Sequence, residues 1–333
     1  MSQRPIWREV FEGGSPVTEH YLFLGLADEM ARLQESNRLK AGEPHPKRTL
    51  HAKTVIGIDD ARLVVDATLP ADVAVAYFQP SICLTAAVRF SNASGIAQSD
   101  EVADMRGAAV KIALPTGGVH DLLMTSYPVS HARNARQFVE FALIASGDRK
   151  TMPARLIEKF GEDEARRMIN NVTQGMRQCD SLALQRFWSR GAILWGEMPV
   201  RFDLRPYPDA VPTALIPGDP DGLRTEFGVR LAQADIRYRL ALQPYVNEQQ
   251  TPIEDGSVEW PEHVSPFIEV ATLTISRRTI FSSVGQAQFR AVDAMAFNPW
   301  NAPPEFRPLG NLNRARAVIY GMSALRWRET GAT

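Results

Sequence analysis

The stretch KRTLHAK, residues 47–53, places His51 three residues after Arg48. An imidazole titrates near neutral pH, so this histidine could move a proton in a reaction. The residues that follow, LHAKTVIGI, alternate like a β-strand, and the spacing alone equally suits a strand histidine. Near the other end of the chain, Arg316 and Tyr320 stand four apart in NLNRARAVIYGMSALRWRE. On a helix that spacing brings both side chains to one face, where a guanidinium can donate to the phenol oxygen and favour its ionised form. The two cysteines, Cys83 and Cys179, lie far apart in no metal-like spacing, which argues against a zinc site and a disulfide framework.

The elements that must hold these groups can be read from periodicity. Residues 17–40 carry apolar positions at three- and four-residue spacing and predict an amphipathic helix, ended by AGEPHPK. From Leu50 to Leu123 the segments HAKTVIGIDD, ARLVVDATL, AAVRFSNAS, GAAVKIAL and HDLLMTS predict short strands in a meander or barrel. Residues 134–190 switch to helical character in ARQFVEFALIAS, PARLIEKFGEDEARRMINNVTQG and DSLALQRFWSR. Strands return in MPVRFDLRPYP, DIRYRLALQPYV and FIEVATLTISRR, followed by the Pro-rich VDAMAFNPWNAPPEFRPLG and the last helix. This predicts an α+β chain: an amino-terminal arm and helix over 1–46, then one antiparallel barrel over 47–333 interrupted by a helical insert.

At 333 residues, 44% hydrophobic, 23% charged and formal charge −1, the chain has the composition of a soluble globular protein. No basic field recruits nucleic acid or anionic lipid, and no apolar run reaches the roughly 20 residues of a membrane helix. The Met1 start without a signal-type apolar run and the unpaired cysteines predict a whole mature chain in the cytoplasm.

Five segments in order carry a resemblance to the haem catalases, in their shortened catalase-related branch. They are Arg48-Thr49-Leu50-His51-Ala52-Lys53, Val88-Arg89-Phe90-Ser91, Arg106-Gly107-Ala108-Ala109-Val110-Lys111, VEWPEHVSPFIEVATLTI and FNPWNAPP. The resemblance implies an antiparallel β-barrel of catalase type with a C-terminal proximal helix, haem b as cofactor and Tyr320 as the axial iron ligand. It makes Arg316 the cation that keeps Tyr320 ionised. His51 becomes the distal acid/base, oriented by Ser91. Arg48 and Arg89 pair with the haem propionates, Arg326 or Arg328 supplies the third such arginine, and Phe138 packs against the distal face of the haem. A small-molecule peroxide or hydroperoxide is the implied substrate and a homo-oligomer the implied assembly.

The departures from that pattern matter too. The distal asparagine falls on Thr125, Leu50 replaces a usual valine, and Ser130 and His131 stand where phenylalanines are expected. These changes predict a more open, altered distal pocket and a weak catalase or peroxidase that acts slowly on hydrogen peroxide or organic hydroperoxides, in place of fast hydrogen peroxide dismutation. Two rival readings are a hydroperoxide-rearranging enzyme resembling the allene oxide synthases and a catalase-fold protein without turnover.

Overall fold

The computed structural model describes residues 5–208, 215 and 217–329, with side chains described as far as Arg326. Its centre is a sheet of β1 (Thr54–Val65), β2 (Cys83–Asn92), β3 (Arg106–Ala113), β4 (Val119–Thr125), β5 (Phe187–Trp188), β6 (Ile193–Trp195), β7 (Met198–Pro206), β8 (Ile236–Pro244) and β9 (Ile268–Ile275). The order is β5-β4-β3-β2-β1-β9-β8-β7-β6, with every pairing antiparallel. Because β5 pairs with both β4 and β7, eight strands close into a barrel and β6 lies beside β7. Closure removes the open sheet edges that would otherwise invite aggregation.

Period-two alternation decides which residues fill the barrel. On β2 the core takes Leu84, Ala86, Val88 and Phe90; on β3 Ala108, Val110 and Ile112; on β4 Leu122 and Met124. The intervening residues, among them Arg89, Ser91, Gly107 and Thr125, therefore face outward. At the barrel centre the fully buried Phe90 ring stacks at 5.3 Å from Phe187 and 5.8 Å from both Phe227 and Tyr238.

The helices cover part of that outer face. Helix α1 (Pro16–Ala41) starts at a Ser15 cap, where the side chain accepts from the Thr18 N–H, and ends at Gly42 in the left-handed region. Helices α2 (Ala135–Ala145), α3 (Met152–Phe160) and α4 (Glu162–Gly175) follow, then α5 (Gly222–Gln233), α6 (Ser283–Asp293) and α7 (Asn311–Glu329). A second apolar cluster joins α1, α2 and α7 through Phe23, Leu26, Met30, Val139 and Ala315. Arg314 reinforces it with ion pairs to Glu9, Glu19 and Glu254, tying the N-terminal segment to α7.

Several sequence expectations are corrected here. DSLALQRFWSR is a 3-10 turn at Leu182–Leu184 followed by the closing strand β5, because Phe187 is worth more inside the barrel than on a helix. PARLIEKFGEDEARRMINNVTQG is two helices, broken at Gly161 with φ +82°. HAKTVIGIDD and ARLVV form one strand whose register shifts between Ile58 and Ala61. Strand β6 and helices α5 and α6 were not anticipated; Gly222 and Gly228 weaken the helical signal of α5. Among the described residues no helix is long and apolar enough to cross a membrane.

The packing around Phe90 gives a stability test. Phe90→Ala is expected to lower unfolding free energy by about 3–5 kcal/mol, measured by urea denaturation. A loss below about 1 kcal/mol would contradict a filled barrel interior.

Candidate functional site

Between the outer face of β2–β4 and helices α1, α2 and α7 lies a cavity of about 430 Å³. That size falls within the range of cofactor and ligand pockets. The barrel side contributes His51, Arg89, Ser91, Gly107, Leu123 and Thr125, and the helix side Met30, Phe138, Val139, Arg316, Ile319 and Tyr320.

His51 is not in a strand, as its alternating neighbours predicted, but in the loop before β1 with φ +57°. Left-handed geometry is uncommon for a residue with a side chain and needs support from its surroundings. The support is visible: the His51 N–H donates to the Ala93 carbonyl at 3.0 Å, and the Arg89 Nη2 donates to the His51 carbonyl at 2.7 Å. The ring Nδ1 lies 3.0 Å from the Ser91 hydroxyl. Beneath it, a Cβ on Gly107 would come within 2.6 Å of His51 Nδ1 and 2.7 Å of Ser91 Oγ. The imidazole therefore rests on bare backbone.

Arg48 and Arg89 both line the cavity and are held by a shared scaffold. Arg48 donates to the Asp293 and Met295 carbonyls at the end of α6 and pairs with the Asp293 carboxylate at 3.3 Å. Arg89 Nε donates to Thr54 Oγ1 at 2.8 Å, and that hydroxyl donates onward to Asp293 at 2.5 Å. Burial pushes the Arg89 guanidinium down to about 9, assisted by the neighbouring Arg48 charge, and it stays protonated at neutral pH.

On α7 the expected pairing is present. Arg316 Nη2 donates to the Tyr320 phenol oxygen at 3.0 Å, while its Nη1 donates to Asn313 Oδ1 at 3.0 Å. Asn313 is itself fixed by donating to the Ala192 and Leu309 carbonyls. The FNPWNAPP loop anchors the same helix, with the Trp300 indole donating to the Asn313 carbonyl at 2.6 Å. Asp121 holds that loop by accepting from the Asn298 N–H and the Asn301 amide, both at 2.9 Å.

The remaining expected residues divide. Phe138 lines the cavity and stacks on His131 at 4.8 Å. Thr125 lines it too, but its hydroxyl donates to the Tyr127 carbonyl at 3.1 Å, so it presents an acceptor to the cavity. Arg326 is not among the lining residues and donates to the Ala31 carbonyl on α1 at 3.1 Å. The α7 backbone turns Arg326 toward α1, six residues past Tyr320, which separates it from the other site arginines. The Arg328 side chain lies outside the described residues. Sequence reasoning missed Asn313, whose i−3 spacing to Arg316 was a usable signal, and Arg190, a cavity residue that no spacing announced.

The charge balance of the lining is one-sided: Lys47, Arg48, Arg89, Arg190 and Arg316 are present, with no Asp or Glu. Burial, followed by the charges of Arg89, Arg190, Arg316 and Arg48, holds the His51 pKa down at about 3. His51 is thus a neutral imidazole at neutral pH. Among the described residues no group of three or more His, Cys, Asp and Glu could hold a metal ion.

Neither a protein-family model nor a curated protein matches the chain. Solved structures do. A fungal catalase superposes with TM-score 0.67 at 18% identity, covering 90% of this chain and 62% of that one. Catalase A from Saccharomyces cerevisiae gives 0.68 at 16%, covering 98% of this chain and 68% of the other. A bacterial catalase gives 0.66 at 16%, covering 98% and 67%. The fold is that of the catalases. This chain spans about two thirds of their length, and at such identity the likeness to catalases concerns the fold alone.

Two outcomes test the geometry. His51, His120 and His131 are each held by burial at a pKa of about 3, against about 6.5 in the unfolded chain. Between those values the unfolded state binds protons that the folded state refuses, so stability is full above pH ~6.5 and falls as pH drops toward 3. The slope is at most about 1.4 kcal/mol per pH unit for each histidine. Thermal unfolding from pH 7 to 4 should show a steep decline, shallower in His120→Gln. A Tm unchanged over that range would contradict neutral burial. Gly107→Ala should displace the imidazole, shifting the His51 ring resonances in NMR spectra while the fold persists. Unshifted resonances would remove the close approach.

Proposed function

We propose that this protein is a haem-dependent enzyme of catalase fold that reacts with peroxides, and that organic hydroperoxides suit its pocket better than hydrogen peroxide. One observation carries the reading: the Arg316–Tyr320 pair and the His51–Ser91 pair, distant in sequence, line one cavity.

The residues present fit a haem. Its propionates would meet a lining rich in guanidinium groups and free of carboxylates, where a buried cation without a counter-charge is costly. Its apolar faces would meet Phe138, Val139, Leu312 and Ile319. Tyr320 would be the iron ligand, with Arg316 stabilising its phenolate, and Arg48 and Arg89 would hold the propionates. When bound, haem supplies a redox-active iron at which a peroxide O–O bond is cleaved.

The chain's own part is proton handling. With the His51 Nδ1–H directed to Ser91 Oγ, Nε2 carries the lone pair. It accepts the proton from one peroxide oxygen and returns it to the other, so that water or an alcohol leaves. Arg89 keeps the His51 backbone in place for this. Thr125, its hydroxyl spent on the Tyr127 carbonyl, offers hydrogen peroxide no donor. Ser130 adds room beside it, which favours a bulkier hydroperoxide.

Haemin titration followed by absorption spectroscopy tests the cofactor. Wild type should give a high-spin ferric tyrosinate spectrum, and Tyr320→Phe should bind weakly or lose that spectrum; an unchanged spectrum in the variant would overturn the assignment. In stopped-flow reactions with an alkyl hydroperoxide, His51→Ala should slow turnover about 10²–10⁴-fold. Since His51 stays neutral above about pH 3, the wild-type rate should be flat from pH 8 to 5. A rate limb near 6.5 would mean a solvated imidazole. Equal rates in wild type and His51→Ala would leave a catalase-fold protein without turnover.

A further inference from the structure

Arg190 lies in the loop between β5 and β6 and lines the cavity. It is half-buried there. Its Nη2 donates to the Val129 carbonyl at 2.7 Å, whereas Nε is buried with no hydrogen-bond partner. Among the described residues it forms no ion pair with a carboxylate. The loop is fixed at this spot, because a Cβ on Gly191 would come within 2.4 Å of the Asn313 amide. Arg190 is therefore held against the helix that carries Arg316 and Tyr320. Its charge reaches His51 as well, lowering that imidazole's pKa.

A guanidinium in such a place is expensive unless an anion meets it, and its planar fork of N–H groups matches a carboxylate. Burial and the Arg316 charge push its pKa down to about 10, which leaves it cationic at neutral pH. Arg48 spends its donors on Asp293 and the end of α6, and Arg89 on Thr54 and the His51 carbonyl. Arg190 has spent one N–H.

We infer that Arg190 is a carboxylate-binding residue of this cavity, taking the acid group of an organic-acid substrate that carries the hydroperoxide and whose apolar body lies along Leu123; the porphyrin carboxylates fall to Arg48 and Arg89. The inference rests on the proposed function only in treating this cavity as the cofactor and substrate site.

The test compares acids with neutral counterparts in the purified full chain. One arm titrates haemin and haemin dimethyl ester by absorption; the other titrates octanoate and octanamide by calorimetry. Wild type should prefer octanoate over octanamide by about 10–100-fold, the equivalent of the ~1.5–3 kcal/mol of a charge-assisted hydrogen bond at ~1.4 kcal/mol per decade. Arg190→Gln should abolish that preference while leaving octanamide affinity unchanged, and Arg190→Lys should keep part of it. A preference for haemin over its ester, which Arg48 and Arg89 would supply, should persist in both variants. No preference for octanoate, an octanoate preference surviving in Arg190→Gln, equal loss for octanoate and octanamide in that variant, or loss of the haemin preference alone would overturn the inference. Failure of haemin and its ester alike to bind would sink the haem reading, while the octanoate arm would still decide the role of Arg190.

Discussion

The site depends on the register of three strands. Along β2, β3 and β4 alternate residues fill the barrel, and their neighbours form the wall of the cavity. Shifting one strand by a single residue would drive Arg89 and Ser91 into an apolar interior and expose Val88 and Phe90. The hydrophobic demand of the barrel therefore fixes the polar geometry outside it. Phe90 and Arg89 are adjacent in sequence, one on each side of the sheet, and the burial of the first holds the second where it can grip the His51 carbonyl.

Around that wall the protein concentrates positive charge. Asp293 partly compensates Arg48 and, through Thr54, supports Arg89, yet Arg89, Arg190 and Arg316 form no ion pair with a carboxylate among the described residues. Net buried charge of one sign lowers stability in an empty cavity and favours whatever anion fills it. The same field holds His51 neutral. A single electrostatic arrangement thus favours an anionic ligand and keeps the neighbouring imidazole neutral.

The likeness to solved catalases concerns the architecture, and any chemistry resides in the side chains, because one fold can host several activities. The helix wall keeps a phenol under a guanidinium; the barrel wall keeps a histidine on a serine. Beside the histidine Thr125 donates its hydroxyl to the Tyr127 carbonyl, and the His131 ring lies 4.8 Å from Phe138 and 4.3 Å from Phe141.

The sequence by itself determined the alternation of the long strands, the helices at both ends of the chain and the Arg316–Tyr320 pairing, because each is local: period two, period 3.6 and an i, i+4 contact. It could not show β5, whose two residues are a strand only because β4 and β7 lie on either side of them. Nor could it show that His51 sits at positive φ, since that backbone is held by Ala93 and Arg89. Arg326 and Arg328 were equal candidates beside the site arginines, and the direction of the Arg326 side chain from α7 toward α1 separated it from them. Arg190 carried no motif at all. Only the tertiary structure brought it to the cavity, because Gly191 lets its loop press against Asn313, a contact between residues more than a hundred positions apart that no local pattern encodes.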